Sequence, residues 1–397
     1  MNAQFPEKGE SVSLFENHRE ALFVRRPNRF LIIARDGEEE LTCHCPNPGR
    51  LLEFTFPGTR LILEKRKDPR GKVATAWTVA GLYYRDTAVP FFSSRINRAA
   101  EKLILKKIIP GLQDVRAESI RGTSRFDFLC TLGPGGQRHL VEVKACSLIE
   151  YGVAMFPDAP SGRALKHLKE LAALAEEGFT CHMLFVIVHS EPHVFIPNLH
   201  TDPLFAAALS RYAGKVNIHA ALCRCNNEGR AVLAGASVPV DLSHGGLAES
   251  NRGNYLAALE IPKEAHIKTG GLGELSFAPG WYVYAGSAQK NLSQRMARHL
   301  RKTRKAKHWH IDYLTPAAKT IKALPILSYR NLECDLARSL GALGGKAIPG
   351  FGSSDCRCAS HLYYFTGPPL GNRAFVDMLF RFRHVEALRQ TPPIDRS

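Results

Sequence analysis

SRFDFLCTLGPGGQRHLVEVK, residues Ser124 to Lys144, is the stretch on which the fold turns. FDFLCT alternates and is rich in aromatic residues, HLVEVKA alternates again, and LGPGG between them supplies residues suited to a chain reversal, so the segment reads as a β-hairpin. A reversal centred between Pro134 and Gly135 sets Asp127 opposite Glu142 in an antiparallel ladder. Side chains alternate along a strand, so Lys144 shares the face of Glu142, while Phe126, Phe128, Val141 and Val143 are expected to point the other way into a core. Two carboxylates placed opposite one another repel unless a positive charge lies between them. A divalent cation with oxygen ligands meets that need. A lysine beside such an ion suits phosphodiester hydrolysis, in which ion and ammonium stabilise charge developing on phosphate. The competing reading is a charged outer face on which Arg125 and Lys144 neutralise Asp127 and Glu142.

SRFDF followed by VEVK resembles the Asp, Glu-x-Lys signature of the PD-(D/E)xK restriction-endonuclease-like superfamily. The flanks narrow the resemblance. HCPNPG at 44–49, VEVKACSLIE, MFPDAP at 155–160, KHLKEL at 166–171 and LFVIVHSEPHVFIPN at 184–198 together resemble the sugar fermentation stimulation protein A family, in order across residues 20 to 225. Pro48 and Arg50 stand where members of that family generally carry threonine and serine. The resemblance implies DNA binding, with an OB-like domain ahead of a nuclease-like one.

A chain of 397 residues exceeds what one core usually holds, so two or three domains are expected. The 53 Lys and Arg against 37 Asp and Glu leave a net charge of +16, which favours a polyanionic partner, with DNA first among nucleic acids. No apolar run reaches the length of a membrane span and the N-terminus lacks a signal peptide's apolar segment, so a cytoplasmic location and no membrane partner are expected. Neither a glycine-rich dinucleotide fingerprint nor a P-loop occurs, which leaves a small-molecule enzyme of sugar metabolism without support. Ten cysteines without a secretion signal read as free thiols or ligands rather than disulfides. Cys334, Cys356, Cys358 and His361 form one set apart. Because the cysteine pairs are C-x-C rather than C-x-x-C, thiols packing a small core are expected there ahead of a structural zinc.

Residues 20 to 92 alternate through RFLIIAR, ELTCHC, TRLILEK and VATAWTVAGLYY, the pattern of a small antiparallel barrel, and 1–92 is assigned to it. Arg60, Lys65, Arg66, Lys67, Arg70 and Lys72 could track a single strand or simply be solvated. From about Ser94 the period turns helical, with Ile96, Ala99, Ala100, Leu103 and Ile104 inward. Nuclease-like cores often take a further carboxylate from such a helix. Glu101 is the candidate, and Glu118 the alternative. MFPDAP leads into an amphipathic helix on which Arg163, Lys166 and His167 could face DNA, and CHMLFVIVH reads as a buried strand. Residues 93–236 thus form an α/β core with a mixed sheet, and 237–252, rich in Ser, Gly and Asn, read as a linker.

Beyond it, GNYLAALEI, GWYVYAGSA and NLSQRMARHLRK resemble the GIY-YIG nuclease superfamily. KHWHIDYL at 307–314 and FGSSDCRCASHLYYF at 351–365 narrow this to a subfamily of unknown function, assigned to 253–370 as a small α+β domain. The resemblance implies catalytic roles for Tyr255, Tyr284, Arg295 and Glu333, the glutamate holding a metal. A long insertion separates the two tyrosines, and Asn254 and Ala285 replace the isoleucines of the eponymous triplets. Between Lys290 and Lys307 lie eight Lys or Arg and no acid, and Arg295, Arg298, His299 and Lys302 recur at helical spacing, a stripe that suits a phosphate backbone. The tail, 371–397, carries an amphipathic helix at 375–388 that could pack on either domain or form a homodimer. Two functions follow: a DNA-binding phosphodiesterase dependent on Mg2+ or Mn2+, or a DNA-binding regulator without catalysis.

Overall fold

Alternation in the first ninety residues builds a closed barrel. Strands β2 (His18–Asn28), β3 (Leu31–Asp36), β4 (Glu39–His44), β5 (Arg60–Lys65) and β6 (Trp77–Tyr84) follow β1 (Val12–Ser13), and β7 (Thr87–Pro90) pairs with β6. The sheet runs β4-β3-β2-β5-β6, and Cys43 and His44 of β4 pair with Trp77 and Thr78 of β6, closing five strands on themselves. Ala21, Phe23, Ile32, Leu41, Leu61, Leu63 and Val79 fill the interior. In this computed structural model the described residues are 10–66, 75–84, 86–133, 135–189, 191–303 and 306–389. Lys67, Arg70, Lys72 and Pro134 lie outside them. The division at residue 92 needs one correction, because β1 joins the sheet of the next domain rather than the barrel.

The second domain opens with α1 (Ser93–Ala99), a π-helical turn (Ala100–Ile104) and α2 (Leu105–Ile108). A fork from Arg95 to Glu64 of β5, with nitrogen–oxygen distances of 2.6 and 2.7 Å, fixes α1 against the barrel. Then come β8 (Asp114–Arg121), β9 (Ser124–Thr131), β10 (Arg138–Cys146), β11 (Leu148–Glu150), β12 (Val153–Phe156), α3 (Gly162–Glu176), β13 (Thr180–Ile187), β14 (Val194–Pro197), α4 (Pro203–Tyr212), β15 (Val216–Cys225) and β16 (Arg230–Gly235). Seven strands form one mixed sheet in the order β1-β16-β15-β13-β10-β9-β8, with β10, β13 and β15 parallel, while β11, β12 and β14 make a smaller one. Ile96, Ala99, Leu103, Val141, Val143, Leu184 and Val186 pack on one face. Leu140, Met183 and Phe185 meet Leu168 and Leu171 of α3 on the other. Each fully buried leucine there contributes about 1.5–3 kcal/mol. The Ser161 hydroxyl caps α3 by accepting from Ala164 N–H.

The β9–β10 register matches the hairpin expected from sequence. Thr131 pairs with Arg138 and Phe128 with Val141, so Asp127 and Glu142 occupy the next step. One expectation is corrected. Phe128 packs with Val141 and Val143, but Phe126 joins the cluster under α3, its ring 5.7 Å from that of His167. Between them the β8–β9 ladder omits one pair: it joins Ala117 with Phe128 and Ser119 with Phe126 in a single register, and Glu118, opposite Asp127, has φ 59°.

The motifs HCPNPG and MFPDAP meet in space. Gly49 lies so close to Asp158 that a Cβ there would fall 1.9 Å from Oδ2, and Arg26 donates to the carbonyls of Asn47, Gly49 and Arg50.

Two compact units divide the chain, Met1–Gly245 and Gly246–Ser397. The expected linker is folded. Val238 is buried, Phe195 pairs with Val240, and α5 occupies Gly245–Glu249. The second unit is a five-stranded antiparallel sheet, β21-β17-β20-β23-β22. In chain order its elements are β17 (Gly253–Ile261), the ribbon of β18 (Ala265–Lys268) and β19 (Glu274–Phe277), β20 (Gly280–Ala288), α6 (Leu292–Leu300), α7 (His310–Leu314), β21 (Thr320–Leu327), α8 (Glu333–Ala342), β22 (Lys346–Ala347), β23 (Leu362–Phe365) and α9 (Arg373–Arg381). The insertion between the tyrosines is thus the β18–β19 ribbon. The tail helix packs within this unit, with Phe375, Val376 and Leu379 buried and Arg383 donating to Pro325 carbonyl of β21. Among the described residues no helix is long and apolar enough to cross a membrane.

Candidate functional site

At the point where the β9–β10 ladder ends, the Asp127 side chain replaces the missing main-chain partner. Its Oδ2 accepts from Val143 N–H at 2.7 Å, and its Oδ1 accepts from the Asn97 amide on α1 at 2.6 Å. Glu142 is buried, and two basic side chains crowd one of its oxygens: Oε1 takes a hydrogen bond from Lys144 Nζ and lies 2.6 Å from His167 Nδ1 on α3. Its other oxygen, Oε2, is buried with no hydrogen-bond partner among the described residues.

Burial and the neighbouring Glu142 charge raise the pKa of Asp127 despite the bonds from Val143 and Asn97 and the charge of Lys144. Burial pushes Glu142 upward too, but His167 and Lys144 outweigh it and hold its pKa below the ordinary value. An orphaned carboxylate oxygen beside a second, mutually repelling carboxylate is a poor arrangement for a dry protein, since an unpaired buried acceptor costs about 1–3 kcal/mol. The donor set is all oxygen, and hard divalent cations take such ligands. The residues fit a cation of that kind.

Several positions differ from expectation. Asn97, not Glu101, is the residue that the helix ahead of the hairpin sends to the site; the charge of Glu101 instead acts on Cys130. Glu118 is exposed and pairs with Arg125 at 3.5 Å, away from Asp127. His167, expected on the exposed face of its helix, is instead buried against Glu142. Lys166 does lie on the surface, 3.7 Å from Glu170 one turn on. Arg66 turns back to donate to the Thr75 hydroxyl. Sequence inspection also passed over three histidines on adjacent parallel strands: His139, His182 and His219 stack in a ladder, nitrogen to nitrogen at 2.9 and 3.0 Å.

The second candidate group sits on β17, β20, α6 and α8. Tyr255 pairs with Gly286 and lies over it, since a Cβ there would come within 2.5 Å of the ring; Tyr284 sits diagonally across, ring centroids 6.3 Å apart. Burial raises both phenol pKa values, with the charge of Glu333 adding to the shift of Tyr284. Arg295 donates to Ser287 carbonyl at 2.7 Å and stacks over Trp309. Glu333 is engaged at both oxygens: Oε2 accepts from the Ser287 hydroxyl at 2.5 Å, and Oε1 lies 3.1 Å from His361 Nδ1. The expected phosphate stripe on α6 is largely turned inward. Arg298 stacks on Trp309 and pairs with buried Asp312 at 2.8 Å, His299 is buried against Tyr255, and Lys302 lies past the helix end, donating to Lys319 carbonyl.

Cys334, Cys356, Cys358 and His361 are gathered, their ligand atoms all within 4.8 Å of one another. Thiols packing a core do not describe this set: the other seven cysteines are buried, whereas these three are half-buried.

A five-stranded barrel ahead of a mixed sheet that carries paired carboxylates and a lysine defines a protein with an OB domain and a restriction-endonuclease-like core. Family models agree: the SfsA N-terminal OB domain matches residues 24–89, the sugar fermentation stimulation protein RE domain matches 94–229, and the domain of unknown function DUF123 matches 254–381. A sugar fermentation stimulation protein homolog of Pyrobaculum neutrophilum is 37% identical over 211 residues, 53% of this chain and 88% of the relative. One of Desulfitobacterium hafniense is 33% identical over 232 residues, 58% of this chain and 99% of the relative. The solved structure of Pyrococcus furiosus SfsA in complex with Ca2+ aligns with a TM-score of 0.52 at 29% identity, covering 58% of this chain and 99% of that one. The chain belongs to the sugar fermentation stimulation protein family, with a DUF123 domain appended.

Proposed function

We propose that this protein binds nucleic acid, DNA foremost, and hydrolyses phosphodiester bonds at the site of Asp127, Glu142 and Lys144 with Mg2+ or Mn2+. The observation that carries the proposal is the buried, unpartnered Oε2 of Glu142 beside Asp127. The Ca2+ bound by the Pyrococcus furiosus relative supports an oxygen-donor centre. Asp127 and Glu142 would hold the ion, which when bound stabilises negative charge on the reacting phosphate. The chain's own groups do the rest. Asn97 and Val143 N–H lock the Asp127 carboxylate, and His167 fixes Glu142, so neither ligand needs to reorganise. Lys144, 14% exposed, is placed to share its charge between Glu142 and a phosphate oxygen. The net charge of +16 draws the polyanion in.

For the C-terminal unit we propose nucleic-acid contact of the GIY-YIG-like kind through exposed Lys290, Arg301 and Lys302, with Tyr255, Tyr284 and Arg295 as the group nearest to catalysis. One observation favours a non-catalytic binding protein instead: Lys144 already pairs with Oε1 of Glu142, and His167 contacts the same oxygen, without any ion. The test is incubation of the full chain with single- and double-stranded DNA and RNA in Mg2+, Mn2+ or EDTA. Metal-dependent cleavage that falls at least about a hundredfold in Glu142→Gln supports hydrolysis. Salt-sensitive binding without cleavage supports the regulator.

A further inference from the structure

We propose that Cys334, Cys356, Cys358 and His361 bind a structural Zn2+, and that Glu333 acts as the carboxylate that orients its histidine ligand. This site is separate from Asp127 and Glu142, and does not depend on the nuclease proposal.

The geometry points to tetrahedral coordination. Zinc holds thiolate sulfur at about 2.3 Å and imidazole nitrogen at about 2.0–2.1 Å, so a sulfur and a nitrogen on a tetrahedral ion stand about 3.6 Å apart. His361 Nε2 lies 3.4 Å from Cys356 Sγ and 3.8 Å from Cys334 Sγ. The ligands come from two places in the chain: Cys334 from the first turn of α8, the other three from the loop that runs into β23. That loop is held by a few main-chain hydrogen bonds, Gly350 to Ala359 and His361 to Phe351 among them, and its thiols are only half-buried. Three sulfurs and one imidazole, a set that no further His, Cys, Asp or Glu among the described residues joins within the same 4.8 Å, are the ligands of a structural zinc rather than of Mg2+ or Ca2+.

The surroundings are those of a ligated histidine. Metal-bound imidazoles give their remaining N–H to a carboxylate or carbonyl, which fixes tautomer and ring orientation. His361 is 2% exposed, turns Nε2 to the sulfurs and presents Nδ1 to Glu333 Oε1 at 3.1 Å, while the Ser287 hydroxyl of β20 holds the other carboxylate oxygen. Glu333 is thus a positioning residue for the zinc ligand. The ion would tie α8 to the loop that packs on Tyr284: Gly352 lies so close that a Cβ would come 2.8 Å from that ring. Binding releases the thiol protons of the three cysteines to solvent as thiolates form.

The full chain, purified under reducing conditions without chelator, should carry one zinc per chain by elemental analysis. Stripped protein reconstituted with Co2+ should show the visible bands and sulfur-to-metal charge transfer of tetrahedral thiolate coordination. Zinc content should fall toward zero in Cys356→Ser/Cys358→Ser. Glu333→Gln should keep the ion with affinity lowered about 10–100-fold. Should the serine variant fail to fold, the wild-type Co2+ spectrum still decides the matter. Wild-type protein that neither carries zinc nor gives that spectrum overturns the proposal. So does iron in place of zinc, or zinc that persists in the serine variant.

Discussion

Two carboxylate-bearing groups of this chain, at Glu142 and at Glu333, are built on opposite plans. In the N-terminal unit Glu142 spends one oxygen on Lys144 and His167 and leaves the other buried and unpartnered, beside an Asp127 that its charge destabilises. In the C-terminal unit Glu333 spends both oxygens, on Ser287 and His361. The first arrangement leaves an acceptor oxygen that nothing among the described residues satisfies. The second is closed within the protein, and its candidate metal lies one ligand away. Similar residue types at motif spacing therefore do not imply similar chemistry; the difference here is the unpartnered Oε2 of Glu142.

The largest effect expected is on cleavage. Glu142→Gln should lower metal-dependent turnover at least about a hundredfold, whereas Arg295→Ala should leave most of it in place. Activity lost in Arg295→Ala and retained in Glu142→Gln would move catalysis to the C-terminal unit and invert the comparison. Next come the groups that hold the ligands. His167→Ala and Asn97→Ala should each raise the Mn2+ concentration needed for half-maximal cleavage about 10–100-fold, and addition of saturating Mn2+ should recover much of the rate. An unchanged Mn2+ requirement in both would show that their contacts only pack the fold.

How far the sequence led can be seen at these residues. The hairpin register was legible because LGPGG centres two alternating strands, and symmetry about that centre pairs 127 with 142. His167 could have been read correctly, since Ala164, His167, Leu168, Leu171 and Ala172 form one buried stripe on α3. His299 falls likewise seven residues after buried Leu292 on α6. Charge drew both histidines toward a DNA-facing role, but the apolar period was the better guide. Asn97 carried no such signal, because its function arises from the approach of α1 to β9 across the fold. Phe126 joins a different cluster from Phe128 on the same strand, which local pattern does not reveal. The gathering of the Cys334 set was not legible in C-x-C spacing, since α8 and the loop ahead of β23 bring its members together only in the fold.

A smaller contrast concerns pH. Burial, with the neighbouring His219 and His139, lowers the pKa of His182 from 6.5 to about 3. At this residue the folded chain therefore binds fewer protons than the unfolded one between those values, so its contribution to stability is present at neutral pH. It is lost as pH falls from about 6.5 toward about 3. On acidification the N-terminal unit should unfold before the C-terminal one, as followed by limited proteolysis, and His182→Gln should flatten its pH dependence. First unfolding of the C-terminal unit would contradict this. The smallest effect expected is at Lys166, half exposed and paired with Glu170 across one helical turn. Lys166→Ala should change stability by less than about 0.5 kcal/mol in thermal melts and weaken DNA binding only slightly.

The difference between a carboxylate with an oxygen to spare and one without is tested most directly by calorimetric titration of Ca2+, a cation taken by oxygen ligands, into the full chain. Wild type and Glu333→Gln should both bind it with the same affinity, and Glu142→Gln should lose that binding. Ca2+ binding that survives intact in Glu142→Gln, or that wild type lacks, would contradict a cation centre at Asp127 and Glu142.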